Sequence, residues 1–201
     1  MAPFALGIYL SFCKFTTVTD ARWVGISNYL KICNDKEFIH ALWYTVLFTV
    51  VSVILINVLA FTVAMLLFRT VFFMPNLIGG IILGYIWQLL LNGILAQYGK
   101  TLTYSSVYGF WGLVILVCWQ QVGYMMIIYI SGIQNIPGEL IEAAKIDGAN
   151  KRQLLRHVTI PMVMPSVTIC TFLTLTNGFK LFDQNLALTN GAPSNMSELL
   201  A

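Results

Sequence analysis

The sequence predicts an all-α integral membrane protein. Of its 201 residues, 58% are hydrophobic and only 9% are charged, where soluble domains carry about 25% charged residues. Mean hydropathy is +0.80. Residues 38–68, 70–99, 101–138 and 158–179 each lack Asp, Glu, Lys and Arg altogether. A helix of about 20 apolar residues crosses a bilayer, so each run is long enough to span.

The elements follow in chain order. Residues 1–13 are apolar but too short to cross, and they have neither a basic leader nor a small-residue cleavage site. They read as a truncated first helix. Four full spans follow, at about 38–68, 71–95, 107–133 and 161–179. The first is long enough to tilt or to extend past the bilayer. The whole chain, 1–201, reads as a single transmembrane domain.

Positive charge does not orient these spans. Lys14, Arg22, Lys31 and Lys36 lie in loop 14–37; Lys145, Lys151, Arg152 and Arg156 lie in loop 135–160. Three spans separate the loops, so equal charge falls on opposite sides and the positive-inside rule returns a tie. The net charge of +3 is small and dispersed, which argues against nucleic acid as a partner. Cys13, Cys33, Cys118 and Cys170 form no CxxC pair and read as small apolar residues.

The polar island at 135–160 carries the most information. Pro137 suits the first turn of a helix, and Glu139 and Glu142 lie near its N-terminus, where the dipole favours anions. Leu140, Ile141 and Ala144 share one face; Glu139, Glu142 and Lys145 share the opposite one. Gly148 is placed for a left-handed cap. Asn150 with Gln153 forms a capping-box pattern for a second short helix at about 151–157, and Pro161 and Pro165 open the last span. This is a helix-turn-helix outside the hydrocarbon, and Ala143 and Ala144 leave room for a partner to approach. Periodicity alone fits a plain solvated loop equally well.

The island resembles the EAA loop of bacterial ABC importer permeases. Glu142-Ala143-Ala144 is followed after three residues by Gly148, and after nine more by Val158-Thr159-Ile160-Pro161. Val for Ile and Ile for Leu keep the exit apolar. Asp147-Gly148-Ala149 is similar to the carbohydrate subgroup: the maltose, multiple-sugar and glycerol-phosphate type. Three further stretches resemble that subgroup: Val24-Gly25-Ile26-Ser27-Asn28-Tyr29, Arg69 to Pro75, and Phe182-Asp183 with Leu188-Thr189-Asn190-Gly191-Ala192-Pro193. The resemblance covers nearly the whole chain. It departs in the two-residue connection Arg69-Thr70, where the family has a longer loop, and in the absence of a final helix after the last motif.

The resemblance implies a type I importer permease bundle with the truncated first helix, four full spans and the final family helix missing. It implies a cytoplasmic island, with the N-terminus and 69–70 on the same side and 14–37, 96–106 and 180–201 outside. It implies that Glu142, Ala143, Ala144, Asp147 and Gly148 couple the permease to an ATPase dimer. Glu142 would orient the helix by capping or ion pairing. The other implied partners are a second permease, an extracytoplasmic solute-binding protein and the lipid bilayer of a bacterial cell membrane. ATP and Mg would be bound by the ATPase, with no cofactor in this chain and no enzymatic activity of its own.

No ionisable Asp, Glu, Lys or Arg lies inside the four spans, which argues against ion-coupled carriage. Uncharged amides do occur there, at Asn76, Gln88, Asn92, Gln120, Gln121 and Asn177, with Trp87, Trp119 and Tyr124 among them. Amides that donate and accept beside aromatic faces suit a neutral hydroxylated solute. The expected solute path is Asn76, Gly80, Trp119, Gln121, Asn177 and Gly178. Interhelical packing accounts for each of these positions as well. Lys180 and Asp183 are placed for a local ion pair.

Other patterns carry no chemistry. Gly93 to Thr101 approximates a phosphate-binding loop but has five residues between its glycines instead of four, and follows an apolar span rather than a strand. His40 and His157 lack partners at ligand spacing. Trp23, Trp43 and Trp111 fall near span ends, as in an interfacial belt. The expected function is a permease subunit that imports a sugar or related polyol. The competing readings are a permease for another solute class and a non-transporting membrane scaffold or fragment.

Overall fold

The structure is a computed structural model that describes residues 2–14, 21–66 and 78–190. The chain divides into two compact units, Met1–Trp43 and Tyr44–Ala201.

In the first unit, helix α1 (Ala2–Ser11) is followed by a minimal hairpin of β1 (Cys13–Lys14) and β2 (Arg22–Trp23), then by α2 (Ser27–Asn34). The hairpin is antiparallel, with Cys13 opposite Trp23. At about 1.5 Å per residue α1 is about 15 Å long, too short to cross a bilayer. The Gly-Ile-Ser-Asn-Tyr motif has a structural role here. Gly25 supplies a positive φ of 60°. Asn28 Nδ2 donates to the carbonyls of Ser11 and Cys13, both at 3.1 Å, and Tyr29 Oη donates to Ser11 Oγ at 2.8 Å. Trp23 stacks on Phe12 at 5.4 Å.

The remaining helices are α3 (Lys36–Leu66), α4 (Gly80–Ala96), α5 (Ser106–Gln134), α6 (Gly138–Ile146), α7 (Lys151–Leu154), α8 (Ile160–Gly178) and α9 (Phe182–Leu188). Among the described residues, three helical stretches are long and apolar enough to cross a membrane: Lys36–Leu66, Ser106–Gln134 and Lys151–Gly178. The expected span at 71–95 appears as α4, of 17 residues. Residues 67–77, with the Arg69–Thr70 connection, lie outside the described residues.

Helix α3 shows how a membrane core is sorted. Tyr44, Phe48, Ser52, Ile56, Ala60 and Ala64 are all buried, one every fourth residue. Leu47, Val50, Ile54 and Val58 are exposed. Hydropathy barely distinguishes the two faces, because lipid is as apolar as the core. Residue size and polarity do, since small and hydroxyl-bearing residues let helix backbones approach. Phe48 and Tyr44 meet the Phe110 ring edge-on at 5.9 and 5.6 Å.

The spans are tied by a polar junction that the sequence reading did not single out. Tyr129 Oη on α5 donates to Asn57 Oδ1 on α3 at 2.6 Å. Asn57 Nδ2 donates to Thr174 Oγ1 on α8 at 3.2 Å and to its own helix at Val53 O. In hydrocarbon such groups have no water to turn to, so they hold one another.

The second short helix and the last span are one rod. The sequence reading ended a helix near 157 and opened another at Pro161, but Lys151–Gly178 is continuous over 28 residues. A π turn at Leu155–Thr159, with Ile160 N–H donating to Leu155 O, precedes Pro161. The wider turn lets the helix run on into a proline that has no N–H to give.

Candidate functional site

Among the described residues, a polar concave site lies near each end of this rod. At the α7 end, the polar island folds into a groove. Helix α6 ends in a Schellman motif: Gly148 N–H donates to Lys145 O at 3.1 Å, and Ala149 N–H to Ala144 O at 2.9 Å. Gly148 takes φ 79° to make it. The Glu142-Ala143-Ala144-x3-Gly148 spacing is therefore a helix stop, in which the carbonyls of Ala144 and Lys145 are both closed. The next helix begins at once with a full capping box. Asn150 Oδ1 accepts from Arg152 and Gln153 N–H at 3.0 Å, and Gln153 Oε1 accepts from Asn150 N–H at 2.9 Å.

Between these two ends lies an open groove of about 360 Å³, with Ala144, Asp147, Gly148 and Ala149 on one wall and Gln153, Leu154, His157 and Val158 on the other. Glu142 and Ala143 are exposed beside it. Among the described residues Glu142 makes no cap and no ion pair; the N-cap position is Pro137, without a side-chain bond. Leu140, expected on the covered face with Ile141 and Ala144, is exposed, and Ile146 is 85% exposed. The island thus shows water two large aliphatic side chains next to a polar groove.

Near the α8 C-terminus lies a second, smaller cavity of about 180 Å³, lined by Gln120, Gln121, Asn177, Lys180, Leu181 and Gln184. Helix α5 supplies the two glutamines, which are 7% and 5% exposed. Helix α8 ends at Gly178, and Lys180 N–H closes back on Asn177 O at 2.9 Å, which turns the chain so that α9 brings in Gln184. Asn177 Nδ2 donates to Gln121 Oε1 at 3.4 Å, Gln184 Nε2 to Gln120 Oε1 at 3.5 Å, and Gln120 Nε2 to Ile78 O at 3.4 Å. These are long, weak bonds that leave much of the amides' capacity unused.

Of the six expected path residues, Gln121 and Asn177 meet in this cavity. Gly80, Trp119 and Gly178 are not among its described lining residues. Gly80 abuts the Gln184 side chain, where a Cβ would fall 2.9 Å from the amide. Gly178 packs on Thr49, 2.7 Å from where a Cβ would fall. Both glycines serve close packing rather than a loosened helix. Trp119 crosses Trp87 edge-on at 5.7 Å and is half-exposed. Asn76 lies outside the described residues, as do the Arg69–Pro75 motif and Gly191, Ala192 and Pro193. Gln88 and Asn92 are structural: Gln88 Nε2 donates to Leu188 O, and Asn92 Oδ1 accepts from Leu102 N–H. The sequence reading missed Gln184. No helical period signals it, because α8 ends at Gly178 and α9 begins at Phe182. Lys180 was expected to pair with Asp183; among the described residues it does not, and it lines the cavity instead.

Lys100, from the approximate phosphate-binding pattern, is held by aromatic groups. Its ammonium donates to Tyr108 Oη at 3.0 Å, which raises its pKa, and it lies over the Tyr104 and Tyr108 rings.

Residues 61–198 match the family described as binding-protein-dependent transport system inner membrane component. Among curated proteins, the chain is 41% identical to the probable starch degradation products transport system permease protein AmyD of Thermoanaerobacterium thermosulfurigenes, over 100% of this chain and 74% of that one. It is 32% identical to the multiple sugar-binding transport system permease protein MsmF of Streptococcus mutans, over 98% of this chain and 75% of that one. Among solved structures it superposes with a TM-score of 0.78, at 17% identity, on a bacterial ABC transporter involved in the import of the acidic polysaccharide alginate, covering 99% of this chain and 75% of that chain.

Proposed function

The chain belongs to the binding-protein-dependent transport system inner membrane component family, and from that premise we propose that it is a permease subunit of a bacterial ABC importer for a sugar or related polyol. The observation that carries the reading is the continuous Lys151–Gly178 rod, which joins the island groove to the amide cavity. At about 1.5 Å per residue it is about 42 Å long. A load applied at the island reaches the cavity through one helix.

The island faces the cytoplasm of a cell with a bacterial inner membrane and docks on an ATPase dimer, which binds ATP and Mg and does the hydrolysis. Exposed Leu140 and Ile146 give that contact its apolar area, and Ala144 and Gly148 let the partner come close. ATP-driven closure of the ATPase moves α6 and α7 as a body, and the rod tilts the spans between inward- and outward-facing states. A second permease completes the pathway. A solute-binding protein delivers the sugar on the other side, a partnership supported by the relative solved with a pentasaccharide-bound periplasmic protein. The solute path runs through the cavity of Gln120, Gln121, Asn177 and Gln184, whose amides both donate and accept, as sugar hydroxyls do.

The test is disulfide cross-linking from Ala144→Cys to a cysteine on the ATPase, in a reconstituted complex that shows solute-stimulated ATP hydrolysis. The expected result is a cross-link whose yield changes with ATP. An active complex that never cross-links removes the coupling role. Gln121→Leu should lower transport while leaving the cross-link intact.

A further inference from the structure

The amide cavity holds a feature that hydroxyl recognition does not require. Among its six lining residues four are amides, one is Leu181 and one is Lys180; none is a carboxylate. Amides present donors and acceptors of equal standing, so they bind a sugar hydroxyl in either sense and do not sort solutes by charge. The ammonium of Lys180 does sort them. The turn after α8 fixes the backbone of Lys180 beside the cavity, through its N–H bond to Asn177 O.

The cavity is also set up to receive something. Gln121 is 5% exposed, yet its only hydrogen bond among the described residues is the one Oε1 accepts from Asn177 at 3.4 Å. Its Nε2 group has no hydrogen-bond partner among the described residues, and Gln121 borders the cavity. With the amides oriented by these bonds, Asn177 Oδ1 and Gln184 Oε1 are open acceptors, and Lys180 Nζ is an open donor. Such an amide is costly to leave unpaired unless a ligand or water takes it up. The volume of about 180 Å³ is below the roughly 300–1,000 Å³ of pockets that enclose drug-sized ligands, so the cavity engages one ring of a longer chain at a time.

We propose that Lys180 makes this cavity a charge filter on the solute path, passing neutral and anionic sugar rings and rejecting cationic amino sugars. The inference rests on the reading of the cavity as part of the sugar path. Lys180 is exposed, so the effect draws on its place at the cavity mouth: charges near a protein surface interact several times more strongly than in bulk water.

The experiment reads charge and sugar occupancy separately. Gln184→Cys is introduced on a Cys33→Ser background in the assembled transporter in lipid, with Asn177→Cys as a second reporter. Labelling rates are measured with an anionic sulfonatoethyl and a cationic trimethylammonioethyl methanethiosulfonate, each normalised to a free thiol. The anionic reagent should react faster by on the order of tenfold. Lys180→Gln should bring the ratio near one, and Lys180→Glu should invert it. A neutral maltooligosaccharide should slow labelling in all three backgrounds. A ratio indifferent to Lys180, with sugar protection intact, overturns the filter and leaves the path reading standing. A Lys180-dependent ratio without sugar protection overturns the path reading, and the filter's role in transport goes with it. If neither cysteine is labelled in any nucleotide state, the cavity is closed to solutes and the proposal fails.

Discussion

The hairpin of α5 and α8 needs a glycine at 132 for space, while the island that joins the two helices needs one at 148 for a backbone angle. A Cβ on Gly132 would overlap Ser166 Oγ and crowd Ser166 Cβ, so the crossing leaves no open space there for a side chain. A Cβ on Gly148 would meet nothing within 4 Å, but φ is 79°, where L side chains are strained. One region is fixed by what surrounds it. The other is fixed by its own chain, and it leaves its outer surface, Leu140, Glu142 and Ile146 included, open to a partner. Substitutions in the hairpin should therefore act on stability, and those in the island on coupling.

The largest effect should come from Gly132→Val. Overpacking a tight core costs about 1–3 kcal/mol, and here the crossing offers no slack. Thermal unfolding in detergent should show a clear loss, smaller for Gly132→Ala. Adding Ser166→Ala to Gly132→Ala should recover part of it, because the hydroxyl is the group struck first. An unchanged melting profile for Gly132→Val would show that α5 and α8 are not packed this closely.

Next comes Gly148→Val. A left-handed conformation costs a non-glycine residue roughly 1–2 kcal/mol, enough to undo the Schellman closure at Ala144. Solute-stimulated ATP hydrolysis of the reconstituted complex should fall, while thermal unfolding barely moves. Gly148→Asn should retain most activity, since Asn tolerates this region. Equal loss with Asn and Val would mean that the position is sensed by the partner rather than by the backbone.

The two regions also differed in how far they could be read from sequence. The island was legible because its signals are local: Gly148 as a left-handed stop and Asn150 with Gln153 as a capping box all follow from neighbours within five residues. Its misreadings were the break before Pro161, which the π turn bridges, and the capping or ion pair expected of Glu142, which among the described residues makes neither. The hairpin and cavity were legible only in part. Gln121 and Asn177 announced themselves as amides in apolar runs, but the partner Gln184 is brought in by a chain reversal after Gly178 that no periodicity encodes. Gly80 and Gly178 read as solute-path residues because sequence does not show what lies opposite them, which is Gln184 and Thr49. Asn57 went unnoticed for a related reason: a single amide in a long span is indistinguishable from a local bond until Tyr129 and Thr174 are seen to meet it.

That junction gives the smallest effect and the sharpest test of the comparison. Tyr129→Phe removes one hydroxyl, leaves the ring on Phe61 at 5.5 Å, and deprives Asn57 Oδ1 of a 2.6 Å hydrogen bond. Hydrogen bonds between membrane helices average about 0.6 kcal/mol and reach about 1.7, because the unfolded chain in lipid also finds partners. A double-mutant cycle of Tyr129→Phe with Asn57→Leu should return a coupling energy within that range, measured by unfolding in mixed micelles. The same cycle run on Gly148→Asn with Tyr129→Phe should return about zero, because sites with no shared partner usually add. A zero in the first cycle would mean that the Tyr129–Asn57 bond holds nothing, and that close packing, as of Gly132 on Ser166 and Gly178 on Thr49, carries more of the core. A clear non-zero value in the second would mean that the rod transmits strain from the island into the core even without a partner. The separation between a region fixed by its surroundings and one fixed by its own chain would then have to be given up.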